Sequence, residues 1–249
     1  MENRDLIAQA CRVLGKLDLT HGALGHVSLR LGDSESMLIK GKGPGEVGLR
    51  YTTVADIITV DFNAEKLEGK QDLQPPSESY LHIWLYKLRP DVRSVIHVHP
   101  EHAVLLTICD KEILPIYGAY GSGARLALDG VPTYPRSITI HDDKLGQEFA
   151  SFMGSKQAAL MRGHGVSVVG SGVEDATVRV ISLNELVTMN YKAYLLGTPQ
   201  PIPAEDRELM SRPPDPSRRR GSAGGEPGML AAWRYYCSLA GEGLNSVTS

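Results

Sequence analysis

Residues 94–102 read SVIHVHPEH, an apolar run carrying three histidines within six positions and broken by a proline. Read as a strand ending at Pro100, the stretch sends alternate side chains to opposite faces, so His97 and His99 project together while Ile96 and Val98 enter the other layer. Two imidazoles so placed can share one cation, or they can be a hydrogen-bonded pair in a core; the spacing alone does not choose. His102 falls on the helix that follows and reads as a bystander.

A third histidine has an unusual setting. In RGHGV, residues 162–166, glycines flank His164 at a turn between apolar strands, which lets the backbone bring the ring into a crowded place. A divalent metal on three histidines, with a position left for substrate, is the usual makeup of a catalytic rather than a structural site. Glu78 is the candidate carboxylate, as a displaceable ligand or as an acid/base. A glutamate in the first turn of a helix is also favoured by the helix dipole, so Glu78 carries this reading only in company with the histidines.

Outward from these residues the chain resolves into elements. Leu6, Ile7, Ala10, Val13, Leu14 and Leu17 share one helical face near the start, and HVSLRL, SMLIK and DIITVDF read as short strands between glycine-rich turns. Two prolines precede Ser77, a candidate N-cap, and Tyr80, Leu81, Trp84, Leu85 and Leu88 then recur at helical spacing, placing Glu78 in the first turn. A helix is expected from Glu101 to about Cys109, strands and loops over 113–140, a strand–turn–strand in AALMRGHGVSVVG, and a long helix from Val173 to Leu196 stopped by Gly197 and Pro199. Strands in runs among helices predict one α+β domain with a largely antiparallel sheet. The reading divides the chain into a catalytic domain, 1–200, and a tail, 201–249. In that tail MSRPPDPSRRRGSAGGEPG reads as flexible or extended and MLAAWRYYC as a short aromatic helix.

Composition narrows the class. Hydrophobic residues are 42% and charged residues 22% of 249, close to the globular average. No apolar run approaches the roughly 20 residues of a membrane-spanning helix. MENRDLIAQA lacks the apolar core of a signal peptide, so a cytoplasmic location is expected. Cys11, Cys109 and Cys237 are far apart and odd in number, which fits reduced thiols. A net charge of −3 provides no electrostatic case for nucleic acid.

GHVSLR (25–30), PPSESYLHIWLY (75–86), VIHVHP (95–100) and LMRGHGVSVVG (160–170) follow one another in the order and approximate spacing of the class II aldolase and adducin family. The chain resembles that family over roughly residues 5–197. The resemblance implies a three-layer α/β/α sandwich around a largely antiparallel sheet and a homotetramer with active sites at subunit interfaces. It also implies zinc or manganese on His97, His99 and His164, with Glu78 as the catalytic carboxylate. His82, four residues after Glu78 on the same helical face, matches a family histidine and is expected to stand behind the ligands.

Departures from the family pattern point to a substrate class. Sugar-phosphate aldolases of the family bind phosphate with an asparagine in a GNVS loop, a serine in a TPSG turn and small hydroxyl residues before the glutamate. This chain has Gly25 with His26, then Lys40, Gly41, Lys42 and Gly43, then Pro76 with Ser77. Most hydroxyl and amide donors are gone, although Lys40 and Lys42 can still meet an anion. The changes resemble a branch that decarboxylates hydroxylated aromatic or pyridine carboxylates, in which a PPSE segment is familiar. The expected function is a metal-dependent carbon–carbon lyase acting on a dihydroxyphthalate-like or pyridine carboxylate through a metal-stabilised enolate or phenolate. An aldolase or epimerase acting on fuculose or ribulose phosphate is the alternative. A non-catalytic adducin-like scaffold is a third reading, against which the intact histidines speak.

His26, Ser77, Lys42 and Arg125 are the candidate substrate contacts, and Arg50 is a further guanidinium able to clamp a carboxylate. Tyr117 and Tyr120 fall near where the aldolases supply a tyrosine from a neighbouring subunit. The Trp233 to Tyr236 cluster either caps the pocket or packs the tail.

Overall fold

Helix α1 (Asn3–Lys16) forms where the sequence stacks apolar positions three and four apart, and Ile7, Ala10, Val13 and Leu14 are all buried. Next come the three expected strands, β1 (His26–Arg30), β2 (Ser36–Lys40) and β3 (Ile57–Asp61), and a short β4 (Lys66–Glu68). Helix α2 (Ser79–Leu88), β5 (Ser94–Val98) and α3 (Glu101–Ile108) follow, then a short α4 (Gly123–Leu126) and a two-residue β6 (Thr133–Tyr134). The chain continues through α5 (Asp143–Met153), β7 (Ala158–Met161), β8 (Gly165–Gly170), α6 (Val173–Leu196), α7 (Ala204–Ser211) and α8 (Gly225–Leu239). This computed structural model describes residues 2–32, 34–212 and 225–243.

The strands make one eight-stranded sheet in the order β4-β3-β2-β1-β5-β8-β7-β6, antiparallel at every pairing except β6 with β7. Helices cover both faces, as expected for a three-layer α/β/α sandwich. Ile96 and Val98 of β5 pack with α1, α3 and α6 on one face, while Val95 turns to α2 and α5 on the other. Burying both faces accounts for strands that read as continuous apolar runs.

The face under α2 carries the site. There the register sets His26 of β1 opposite His97 of β5, and His97 opposite Ser167 of β8. A row of polar side chains thus crosses the three central strands on a face whose apolar members include Met37, Ile58, Val95 and Val169.

Helix α5 is absent from the element order expected from sequence, although its signal is present. Asp142 caps it by accepting a hydrogen bond from Leu145 N at 2.8 Å, and Leu145, Phe149, Ala150 and Met153 form its buried face. It packs along α2 and closes the layer above the polar row. The GSGARL segment, expected within strands and loops, instead forms α4. Helix α7 also escaped the sequence reading, because it buries no residue and so has no apolar face. The aromatic helix of the tail is α8, longer than expected at both ends. Trp233, only 5% exposed, and Cys237 pack into the core beside α6 and α1. Residues 213–224, most of the tail segment read as flexible or extended, lie outside the described residues. Among the described residues no helix is long and apolar enough to cross a membrane.

Candidate active site

Helix α2 begins one residue later than the sequence suggests. Ser79 N and Oγ both donate to Pro76 O, at 2.9 and 2.7 Å, so residues 77 and 78 form a turn and Glu78, not Ser77, takes the N-cap position. The Glu78 side chain makes no capping bond. Its carboxylate turns inward, where Oε1 accepts from Ile140 N at 3.2 Å and lies 3.6 Å from His164 Nε2. Oε2 stands 3.4 Å from His97 Nε2 and 3.7 Å from His26 Nε2.

Each histidine is placed by local structure. His97 and His99 share a face by strand alternation, and their Nε2 atoms are 2.8 Å apart. The other nitrogen of His97, Nδ1, is paired with Ser167 Oγ at 3.1 Å, which fixes the ring and leaves Nε2 to face the carboxylate. His164 sits in the β7–β8 turn, where Gly163 has φ +59°, a conformation that favours glycine. A Cβ on Gly165 would lie 2.5 Å from Val98 O and 2.6 Å from a carbon of the His99 ring, so only glycine permits this approach. Gly165→Ala is therefore expected to push the His99 ring aside and lower metal affinity at least about tenfold, measured by titrating the metal into the variant.

Glu78, His97, His99 and His164 each offer one ligand atom, and these atoms all lie within 4.8 Å of one another. Burial holds His97 well below the ordinary imidazole pKa and, followed by the charge of His164, lowers His99 to about 4. Burial pushes Glu78 upward, but the facing His97, His164 and His26 outweigh it and hold the carboxyl below its usual range. The neutral imidazoles of His97 and His99 and an ionised carboxylate, converging with His164 on one point, suit a divalent cation, which needs its ligands deprotonated. Among the described residues His164 Nδ1 is buried without a hydrogen-bond partner.

Behind the carboxylate runs a second set of contacts. His26 Nδ1 is 2.7 Å from His82 Nε2, His82 Nδ1 is 2.7 Å from Ser28 Oγ, and Ser28 Oγ is 2.7 Å from Tyr86 OH. Ser28, Tyr86 and Ser167 are not among the residues read from sequence. Their positions were partly signalled, since Ser28 is two residues from His26 on one strand and Tyr86 four residues from His82 on one helix.

The remaining candidates divide by location. Lys42 is half-buried, donates from Nζ to Ala23 O and stands 3.1 Å from Glu46 Oε1. Burial lowers its pKa while the charge of Glu78 raises it, so Lys42 lies in the field of the carboxylate. Lys40 is buried and paired with Glu46, its pKa lowered to about 8 by burial and then by Lys42. Ser77 is exposed beside Glu78.

Arg125 is not brought to the histidines of its own chain. It is exposed and donates to Met210 O of α7 at 2.7 Å, because GSGARL folds as a helix against α6. Arg50 is exposed and pairs with Asp18 at 3.5 Å. Tyr117 packs against the opposite helical layer, its ring edge-on to Tyr120. His102 stacks on Tyr191, with ring centres 4.4 Å apart, as befits a bystander. Trp233 packs the tail into that same opposite layer and does not cap the cluster of its own chain.

A family model described as the class II aldolase and adducin N-terminal domain matches residues 5–191. The chain is 41% identical over 207 residues to a 3,4-dihydroxyphthalate decarboxylase of Terrabacter sp. (strain DBF63), covering 82% of this chain and 86% of that protein. It is 36% identical over 239 residues to a 3,4-dihydroxyphthalate decarboxylase of Arthrobacter keyseri, covering 93% and 91%. Among solved structures, an aldolase II superfamily protein from Pseudomonas syringae is similar with a TM-score of 0.80 at 20% identity, over 96% of this chain and 91% of that one.

Proposed function

The chain belongs to the class II aldolase and adducin family and is a metal-dependent lyase; from that premise we propose that it decarboxylates a hydroxylated aromatic dicarboxylate of the dihydroxyphthalate type. His97, His99 and His164 would hold a divalent cation, zinc or manganese, and Glu78 would move the proton. The observation that carries this reading is an ionised, buried carboxylate converging with three imidazoles, in a chain 41% identical to a decarboxylase of that substrate. The aldolase alternative is disfavoured by the loop at 40–43, where Lys40 is buried and tied to Glu46 rather than open to a phosphate.

When carbon dioxide leaves an aromatic carboxylate, the electron pair of the broken carbon–carbon bond stays on the ring and spreads to a neighbouring ring oxygen. A divalent cation bound at the histidines supplies a Lewis acid for negative charge developing at that place. Glu78, held ionised, takes the proton of the ring hydroxyl and gives it to the ring carbon that bears the carboxylate, so that the pair released as carbon dioxide leaves can pass through the ring to that oxygen. Net, a proton replaces carbon dioxide on the ring, and one further proton from solvent restores the hydroxyl as the product leaves. His26 steadies Glu78 Oε2, and Lys42, in the field of the same carboxylate, is the cation best placed to meet a substrate carboxylate. Ser77 adds a hydroxyl beside Glu78. The expected homotetramer would give Arg125 and Tyr117, which stand away from their own histidines, a neighbouring cluster to reach.

The test compares dihydroxybenzene dicarboxylates with fuculose and ribulose phosphates on the zinc- and manganese-loaded protein, recording carbon dioxide and aldehyde. Carbon dioxide from the aromatic acids is expected. His26→Asn, which restores the aldolase-like residue, is expected to slow that release roughly tenfold without creating aldol cleavage, since one residue cannot rebuild a phosphate cradle of several donors. Aldehyde from the sugar phosphates, with no carbon dioxide from any aromatic acid, would overturn the reading.

A further inference from the structure

We propose that Ser28, His82 and Tyr86 are positioning residues that hold His26 in the tautomer whose Nε2–H faces Glu78. The inference rests on Glu78 being the proton-moving carboxylate, and it is carried by the order of hydrogens along the buried contacts behind it. His26, Ser28, His82 and Tyr86 are each no more than 2% exposed, and three successive contacts of 2.7 Å join them. Each 2.7 Å contact holds one hydrogen, and Ser28 Oγ reaches its other acceptor, Val95 O, only at 3.4 Å, a far weaker bond than that to His82, so the hydrogens along the line run in one sense or in the other.

In the forward sense Tyr86 O–H donates to Ser28 Oγ, and Ser28 O–H donates to His82 Nδ1. His82 then carries its hydrogen on Nε2 and donates to His26 Nδ1. That leaves the hydrogen of His26 on Nε2, which faces Glu78 Oε2 at 3.7 Å. The reverse sense creates two faults. Tyr86 O–H would lack an acceptor, since Ser28 is its one side-chain hydrogen-bond partner among the described residues. His26 would also turn a lone pair toward a carboxylate. Each is costly away from water, so the forward order holds.

The line ends inside the protein, because Tyr86 is fully buried between α2 and the sheet. A proton cannot leave through it. Its effect is therefore directional: it presents an N–H to Oε2, while Ile140 N presents another to Oε1 at 3.2 Å, and together they hold the plane of the carboxylate. Helix α2 carries three members of this arrangement, with Glu78 at its cap and His82 and Tyr86 one and two turns on. Strand β1 contributes His26 and Ser28 from one face.

The experiment is long-range proton–nitrogen correlation on the full-length, zinc-loaded protein labelled with ¹⁵N at histidine, together with steady-state kinetics. In the native protein His26 and His82 are both expected as Nε2–H tautomers. Ser28→Ala removes the donor to His82 Nδ1 and is expected to shift both rings toward Nδ1–H. It should lower kcat about tenfold with KM changing far less and zinc content unchanged. Tyr86→Phe, a milder change, loosens the same serine hydroxyl and should move the tautomers a smaller way in the same direction. A native His26 found as Nδ1–H would overturn the proposal, as would variants that leave its tautomer where it was. The tautomer readout needs no substrate, so a failed decarboxylation assay would refute the substrate reading and leave this one standing on its own measurement.

Discussion

Glu78→Gln leaves the metal content of the protein unchanged and lowers turnover by about a hundred- to ten-thousand-fold. The substitution keeps the volume of a side chain only 6% exposed, and its amide oxygen can still accept the hydrogen bond that Ile140 N donates at 3.2 Å. An amide cannot take and return a proton as a carboxylate does. It also turns an N–H₂ group toward nitrogens of His97 or His26 that now face an anion at 3.4 and 3.7 Å. Three imidazoles remain to hold the cation, which is why occupancy and rate should separate. Elemental analysis of the purified variant beside its steady-state rate makes the comparison. Turnover at the native rate would reduce Glu78 to a helix-cap residue with no part in the chemistry.

Replacing His97, His99 or His164 by alanine removes both metal and activity while the fold persists. The three imidazoles converge within 4.8 Å of one another, so truncating one leaves only two to hold the cation. A catalytic divalent site commonly relies on three protein ligands, and two seldom retain the ion through purification. The fold persists because β5 and β8 pair through backbone groups from Ser94↔Gly170 to Val98↔Val166, which no side-chain truncation touches. Metal content by elemental analysis and secondary structure by circular dichroism read the two effects independently. Full occupancy in a triple alanine variant would show that the cation sits elsewhere. Activity restored to the chelator-treated native protein by zinc or by manganese would identify the resident ion.

Local pattern was enough for a good part of this molecule. Period-two alternation over SVIHVHP placed His97 of β5 and His99, just past its end, on one side, flanking glycines marked His164, and three-and-four spacing outlined α6 from Val173 to Leu196. These readings concern residues near one another in the chain, where backbone geometry alone dictates which side chains point together. Even α5 was legible in its Asp142 cap and its apolar face, though the sequence reading passed over it. Convergence between distant segments was not legible. His26 meets His97, and His97 meets Ser167, only because β1, β5 and β8 pair in one register. A slip of one residue would turn any of these side chains to the opposite layer. Glu78 was expected in the first turn of α2 and instead takes its cap, where packing of Pro76 and Ser79 aims the carboxylate across the sheet. Arg125 carries no local mark of direction, and within its own chain folding sends it to the carbonyl of Met210 rather than to the histidines. Chemistry was thus written in residue type and spacing, whereas the meeting of Glu78, His26 and the three histidines was decided by strand register and layer packing, which join residues as many as 138 positions apart in the chain.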